Sequence, residues 1–234
     1  MAGIKTGVDG QINNNIQTNG LVCYWDASID KSFTSGTSKT YNLSSGSLTP
    51  TGSIHNDVDF EGPLTASWIF DGTDDIILIH PISISSEVTV ITWTKVSTWQ
   101  NYDAFVTQIN SAGSFLLNQN TAASAGSLYF AIYQSDAAWK QIVNNGVAPT
   151  NEWFHYAGVA DGSYVRMYLN GVEIGTPVAY DGTIRTSTDQ VAIAGRANSI
   201  YLLQGAVANA LIYTRGLSAS EILQNYNATK NRFI

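Results

Sequence analysis

A single cysteine, Cys23, is all the thiol chemistry this 234-residue chain possesses. An intramolecular disulfide is therefore excluded, and so is a cysteine-based metal site. Basic residues are scarce too. Lys and Arg together number 11 against 18 Asp and Glu, which leaves a net charge of −7, and the 11 form no cluster. The electrostatic footprint of a nucleic-acid binder is missing, and an anionic membrane surface is disfavoured as a partner. No apolar run approaches the roughly 18 residues of a membrane span, so no membrane insertion is expected. The opening segment MAGIKTGVDGQINNNIQTNG lacks the apolar core of a secretory signal peptide, and the expected folding compartment is a cytoplasm.

What the chain does have is apolar and amide-rich sequence. Apolar residues make up 44% and charged residues 12%. That suits a substantial core inside a surface of Ser, Thr, Asn, Gln and Gly. Aromatic and β-branched residues are too plentiful for disorder over most of the length. Residues 1–20 are polar and read as an arm. Ile4, Val8, Ile12 and Ile16 are too sparse to fill a core, and Gly3, Gly7 and Gly10 oppose a helix. Apolar patterning begins with LVCYWDAS at Leu21, so a single domain is expected over residues 21–234. Residues 31–62 are rich in Ser, Thr, Gly and Asp and read as long loops. Short β-like segments follow: ASWIF, DIILIH, VTVITWTKV, AFVTQI, SFLLNQ, SLYFAIYQ and WKQIVNN. Their spacing and their Gly, Asn, Asp and Ser boundaries predict an all-β sandwich or barrel.

The stretch EWFHYAGVADGSYVRMYLNGVEI, residues 152–174, parses as three strands. Trp153, His155, Ala157 and Val159 alternate with Phe154, Tyr156, Gly158 and Ala160. Both faces are apolar, so this strand belongs inside the sandwich or beneath another layer. Asp161-Gly162 supplies one turn and Asn170-Gly171 a two-residue hairpin turn, because both positions tolerate positive φ. One helix is expected near the C terminus. Ser218 as N-cap and Glu221 at N3 form a capping box, with Leu217 and Ile222 at the staple positions. Leu223 and Tyr226 extend its apolar stripe.

These motifs resemble the laminin-G-like subgroup of the concanavalin A-like lectin/glucanase superfamily. The pattern Trp-x-His-x-Ala-x-Val-x-Asp-Gly followed by Tyr-x-Asn-Gly carries the resemblance. WIFDGTDDIILI, VTVITWTKV and GAVANALIYTRGLSASEI carry it in the same order. The resemblance runs from about residue 21 to the C terminus and implies a two-sheet antiparallel jelly-roll β-sandwich with a short C-terminal helix. LSASEILQNYNATKNRF also resembles virion proteins of tailed bacteriophages that carry such a domain. The implied function is a non-enzymatic virion structural protein, a capsid decoration, tail or fibre component. It would be located in the virion, with other virion proteins and copies of itself as partners and host surface glycans as a further ligand. A carbohydrate-binding adhesion module outside any virion, or a glycoside hydrolase, are the alternatives.

Four groups of residues are candidates for chemistry. His155 is read as part of the fold signature, together with Trp153, Asp161, Gly162, Asn170 and Gly171, because no motif places a Ser, Cys or Asp partner beside it. Glycoside hydrolysis needs two carboxyl groups, about 5 Å apart in retaining enzymes. The glucanase branch places its pair as Glu-x-Asp-x-x-Glu. The five glutamates here, Glu61, Glu87, Glu152, Glu173 and Glu221, include no such pair, and Asp57/Asp59 and Asp74/Asp75 lie in turn-like sequence. No catalytic residue is assigned. Calcium, which takes six to eight oxygen ligands, is the one cofactor the resemblance implies, and none is required. Asp26 matches the family's position on the first strand, while Asn209 stands where Asp is usual on the last. Two loops combine aromatic platforms with amide or carboxylate groups and are the candidate glycan sites. The first holds Trp99, Gln100, Asn101, Tyr102 and Asp103; the second holds Tyr133, Gln134, Asp136 and Trp139.

Overall fold

The computed structural model describes residues 15–44, 51–62, 65–110, 113–120 and 125–234. In chain order the strands are β1 (Leu21–Asp26), β2 (Lys39–Tyr41), β3 (Thr51–His55), β4 (Asp59–Glu61), β5 (Ser67–Asp71) and β6 (Ile76–Ile79). Next come β7 (Val88–Thr98), β8 (Ala104–Gln108), β9 (Phe115–Gln119), β10 (Leu128–Tyr133) and β11 (Trp139–Asn144). The last five are β12 (Phe154–Ala160), β13 (Tyr164–Leu169), β14 (Val172–Ala179), β15 (Val191–Ile193) and β16 (Gln204–Tyr213). One helix, α1 (Ala219–Thr229), follows and ends in a short 3-10 turn over Lys230–Arg232.

The strands form two eight-stranded antiparallel sheets packed face to face, as the period-2 pattern and the family resemblance predict. The front sheet runs β14-β13-β12-β7-β16-β5-β4. The long β16 pairs with β7 along one side; on the other, its first half pairs with β5 and its second half with β1. The back sheet runs β11-β10-β9-β8-β15-β6-β3-β2. The main core lies between them and is dense in large side chains, among them Trp25, Trp68, Phe70, Phe105, Phe130 and Tyr156. The sheets approach so closely at Gly158 that a Cβ there would lie 2.2 Å from the Phe130 ring, a distance no side chain could tolerate.

β12 lies inside the fold on both faces. Phe154, Tyr156 and Ala160 enter the main core, while Ala157 and Val159 face a second core on the outer side of the front sheet. The β13–β14 turn has Asn170 at φ 51° and Gly171 at φ 81°. The Asn170 amide oxygen also accepts the His155 backbone N–H at 2.9 Å, so the turn residue locks the start of β12. At the preceding turn Asp161 accepts the N–H groups of Ser163 and Tyr164 and pairs with Arg166 at 2.8 Å, and Gly162 takes φ 90°.

The second core packs Ile16, Leu21, Tyr24, Ile91, Tyr168, Leu211, Tyr213, Leu217 and Ile222 together. Helix α1 covers it with the capping box in place: the Ser218 hydroxyl accepts the Glu221 N–H, and the Glu221 carboxylate accepts the Ser218 N–H. Arg215 reinforces this with a 2.6 Å ion pair to Glu221, which holds the Glu221 carboxyl down at about 2.

Three expectations need correction. Residues 31–62 are not simply loops, because β2, β3 and β4 lie there as short edge strands. Their sequence is polar because they are short and lie at or near sheet edges, where few side chains are covered. Leu223 is not part of the helix's buried stripe; it is 44% exposed, and Asn225 and Thr229 lie on the buried face instead. Ile16, assigned to the arm, is only 4% exposed and packs in the second core. Residues 15–19 are bound to the C-terminal segment. Gln17 N–H donates to Asn225 Oδ1, Gln224 Nε2 to the Asn15 carbonyl and Arg215 Nε to the Asn19 carbonyl, all at 2.8 Å. The rest of the expected arm, residues 1–14, lies outside the described residues. Among the described residues, no helix is long and apolar enough to cross a membrane.

Candidate functional site

The structure puts His155 beneath α1. The ring is 1% exposed and lies edge-on to Trp93 and Tyr226. Burial alone pushes its pKa down to about 3, so it is neutral at any ordinary pH. The space it faces, lined also by Ile16, Tyr24, Trp93, Asn209 and Asn225, is closed and has no room for a water molecule. Trp93 seals it by donating its indole N–H to Thr229 at 2.8 Å and stacking on Phe233 at 4.3 Å. No substrate reaches this imidazole. Trp153 lies just outside, against Phe233 at 4.9 Å, with the Lys95 ammonium over its ring.

Asp26 and Asn209 are brought directly opposite each other in the β1–β16 ladder. Their donor atoms are already engaged. Asp26 Oδ2 accepts the Tyr24 hydroxyl and pairs with Arg232 Nη1 at 2.8 Å, and Oδ1 accepts the Ser28 N–H and hydroxyl. Asn209 Oδ1 accepts the Trp93 N–H at 3.0 Å. A calcium ion needs free oxygens and excess negative charge. Here a guanidinium takes the cationic place, so the donor set does not fit the ion.

The first aromatic loop lies at a cleft of about 370 Å³. Three loops build it: the β5–β6 turn through Gly72, the β7–β8 loop through Gln100, Asn101 and Asp103, and the β15–β16 loop through Ser199, Ile200, Tyr201 and Leu202. The Ala104 N–H donates to the Tyr201 carbonyl at 2.9 Å and ties two of them together. Tyr102 at φ 62° and Tyr201 at φ 56° both occupy the left-handed region, which disfavours bulky side chains. Their rings meet edge-on at 5.3 Å. Ser199 at φ 57° and Ala194 at φ 66° belong to the same loop. Such clustering of strained backbone is typical of functional sites.

Asp103 is the acid of the cleft. Its Oδ2 accepts the Gln100 N–H at 2.7 Å, and its Oδ1 is buried with no partner. Burial pushes the carboxyl up to about 6, against the lowering effect of the Gln100 hydrogen bond. Arg196 lies alongside, its guanidinium 4.4 Å over the Tyr201 ring. The remaining member of the expected set, Trp99, faces elsewhere. It stacks against Phe154 and donates its indole N–H to Thr150 at 2.8 Å, so its ring serves the core and not a ligand.

The β5–β6 turn also gathers Asp71, Asp74 and Asp75, whose oxygens lie within 4.8 Å of one another. Asp71 accepts the Thr73 N–H and Asp75 accepts the Asp71 N–H, so two of the three carboxylates serve to close the turn. Backbone hydrogen bonding from Thr73 lowers the Asp71 carboxyl, while burial raises that of Asp75.

The second aromatic loop is separate. β8 and β10 both flank β9 and run the same way, so the cleft at the start of β8 and the hairpin after β10 occupy opposite ends of the back sheet. In the hairpin Tyr133 and Trp139 lie 4.7 Å apart and Arg185 sits over Tyr133. Asp136 accepts the Ala138 N–H and holds the turn, and Trp139 is 37% exposed. Gln134 is buried beside them. Sequence reading missed Gly72, Arg196, Ser199 and Tyr201. The signal available was an Arg, an Asn, a Tyr and three bulky aliphatic residues held between Gly195 and Gly205.

A family model described as the concanavalin A-like lectin/glucanases superfamily, of the laminin G type, matches residues 70–223. No curated protein sequence matches the chain. Among solved structures, the binding domain of botulinum neurotoxin serotype D is similar with a TM-score of 0.69 and 13% identity, covering 89% of this chain and 50% of that one. The serotype D ligand binding domain in complex with N-acetylneuraminic acid gives 0.68 and 13%, covering 90% and 51%. The binding domain of Paraclostridial Mosquitocidal Protein 1 gives 0.68 and 15%, covering 91% and 53%. The chain thus spans about half the length of these structures, and at such identities the likeness is one of fold.

Proposed function

We propose that this chain, which belongs to the concanavalin A-like lectin/glucanases superfamily, is a non-enzymatic glycan-binding module that uses the Gln100–Asp103 and Ser199–Leu202 cleft. One observation carries the reading. Asp103 presents a buried oxygen without a partner at a cleft flanked by two tyrosines held in left-handed backbone. A sugar offers what this cleft lacks: hydroxyl donors for the carboxylate and an apolar ring face for the aromatics. The volume, about 370 Å³, suits one or two sugar rings. Known neighbours support the class, since one of the similar folds was solved with N-acetylneuraminic acid.

Glycan-array and calorimetric measurements on the intact chain test the reading. Tyr201→Ala and Asp103→Asn should each abolish binding while leaving the melt cooperative. Binding that survives both and disappears with Trp139→Ala would move the site to the β10–β11 hairpin. Turnover of a polysaccharide that is lost on replacing Asp103 would make the chain a hydrolase.

A finer proposal concerns where the module works. The C-terminal segment LSASEILQNYNATKNRF resembles virion proteins of tailed bacteriophages, and we assign the chain to a virion, assembled with other virion proteins and copies of itself. The polar sequence of residues 1–14 is the proposed assembly arm. Removing it should leave the melt of the domain unchanged and abolish incorporation into particles. Normal incorporation of the truncated chain would overturn the assignment.

A further inference from the structure

Beside the cleft, stacked on its lining residue Tyr201, lies a charged group whose partner is missing. Of the five arginines, Arg166, Arg215 and Arg232 each pair with a carboxylate within 2.9 Å. Arg185 is exposed at the far hairpin. Arg196 alone is half-buried with no carboxylate partner among the described residues. Its Nε is buried and donates to nothing. Its neighbours are phenols: Tyr201 under the guanidinium at 4.4 Å, with Tyr102 and Tyr129 close enough to feel its charge. Phenols are neutral at ordinary pH, so they orient the guanidinium without neutralising it. The Tyr129 hydroxyl is also committed, to Gln141 at 3.0 Å.

A half-buried guanidinium without an anion is costly, and the cost is removed when a ligand supplies the oxygens. On the outer face of the back sheet, Asn118 lies opposite Tyr129 in the ladder. It is fully buried and neither amide atom has a partner. The cleft therefore offers an acceptor at Asp103, and a cationic donor fork, Arg196, borders it across Tyr201; both are unmatched. The chain as a whole, at −7, attracts no anion from a distance; only local recognition of this kind can hold one.

We infer that the ligand of this cleft is an acidic sugar, whose hydroxyls donate to Asp103 and whose carboxylate is taken by Arg196. This rests on the glycan-binding reading above and gives it a chemical class. A planar carboxylate matches the two-pronged donor geometry of a guanidinium; a sulfated sugar shares the anionic chemistry and is separated by the test.

The intact protein is titrated calorimetrically with galacturonate oligomers and N-acetylneuraminyl-lactose, with lactose and galactose oligomers, and with lactose 3′-sulfate. The wild type should bind the carboxylate sugars at least ten-fold more tightly than the neutral ones. Arg196→Gln should erase that preference and leave residual binding of both at the neutral level. Arg196→Lys should restore part of the preference, and Tyr201→Ala should remove all binding. A neutral sugar bound as tightly as its acidic counterpart, or a preference that survives Arg196→Gln, would overturn this inference and leave the glycan site standing. Preference for the sulfate over both carboxylates would overturn the assignment of the carboxylate. No binding of any of these sugars would overturn both readings. Should Arg196→Gln fold poorly, the wild-type comparison and Arg196→Lys still decide.

Discussion

The outer faces of the two sheets make an instructive pair. The front sheet's outer face is sealed by α1, the C-terminal tail and residues 15–19, and many of its polar groups find partners in that cover, although His155 Nδ1, Asn209 Nδ2 and Arg232 Nε do not. Trp93 bonds Thr229, Asn225 bridges Gln17 and Tyr213, and Arg232 neutralises Asp26. Among the described residues, no helix covers the back sheet. Its outer apolar clusters are small, Ile76 with Ala192 and Leu202, and Ile109 with Leu116 and Ala131. Arg196, Asn118 and the nearby Asp103 leave buried atoms without partners. The charges are what differ: Asp26 and Arg232 neutralise each other on the covered face, while Asp103 and Arg196 have no charged partner among the described residues.

The strongest way to break this contrast is to strip the cover of its cation. Arg232→Ala leaves the Asp26 carboxylate, 1% exposed, without a countercharge, and breaking a buried pair in this way costs about 3 kcal/mol or more. Denaturant unfolding should show that loss. Calcium or a chelator should leave the wild-type midpoint unmoved, since the guanidinium already holds the site.

Acid should separate the faces next. His155 takes its proton at about 6.5 when unfolded but only at about 3 when folded. Its contribution is therefore complete above pH 6.5 and is lost progressively as pH falls toward about 3. Asp103 works in the opposite sense. Its folded carboxyl titrates at about 6, above the unfolded value of about 3.9. The penalty of burying its charge is full above pH 6 and is relieved as pH falls toward 4. In His155→Gln the loss between pH 6.5 and 4.5 should vanish and a modest gain should emerge there, while the loss below 4.5 from Glu221 remains. A pH profile identical in wild type and His155→Gln would contradict the assignment of the buried neutral ring.

Smaller effects sharpen the comparison. At pH 8 Asp103→Asn should raise stability by about 1 kcal/mol, because it removes a buried charge with one unpartnered oxygen, and should abolish glycan binding in the same protein. Stability and function would then move in opposite directions at the open face. Ser218→Ala should cost about 1 kcal/mol through the lost helix cap, with ligand affinity unchanged. A simultaneous loss of affinity would mean that the two faces are coupled.

Much of the covered side was legible in the sequence, and little of the cleft. The alternation of His155, Ala157 and Val159 against Phe154, Tyr156 and Ala160 forecast a strand buried on both faces. Asn170-Gly171 and the Ser218/Glu221 box forecast their turn and cap. These signals are local, being written in neighbouring residues. Ile16 was missed because one apolar residue among amides has no period; only α1, two hundred residues later, gives it a place to pack. The cleft draws on three loops that meet only in the folded chain, so Tyr102 and Asp103 were visible as a loop but Arg196 and Tyr201 were not. Trp99 looked like a sugar platform from composition, yet Thr150 offers its indole N–H a partner and Phe154 offers its ring a neighbour.

The pairing of β1 with β16 sets the tempo of self-organisation. Leu21 meets Tyr213, and Asp26 waits for Arg232. β1 therefore lacks its ladder partner until β16, about 180 residues further along the chain, has been made. Contacts so remote along the chain make for slow collapse to the native state. During that interval one edge of LVCYWD stays unpaired, a surface prone to wrong association. Synthesis of this protein should thus depend on chaperones to a degree that its finished stability gives no hint of. Pulse-labelled chains halted before Gln204 should remain protease-sensitive throughout, with no folded N-terminal half.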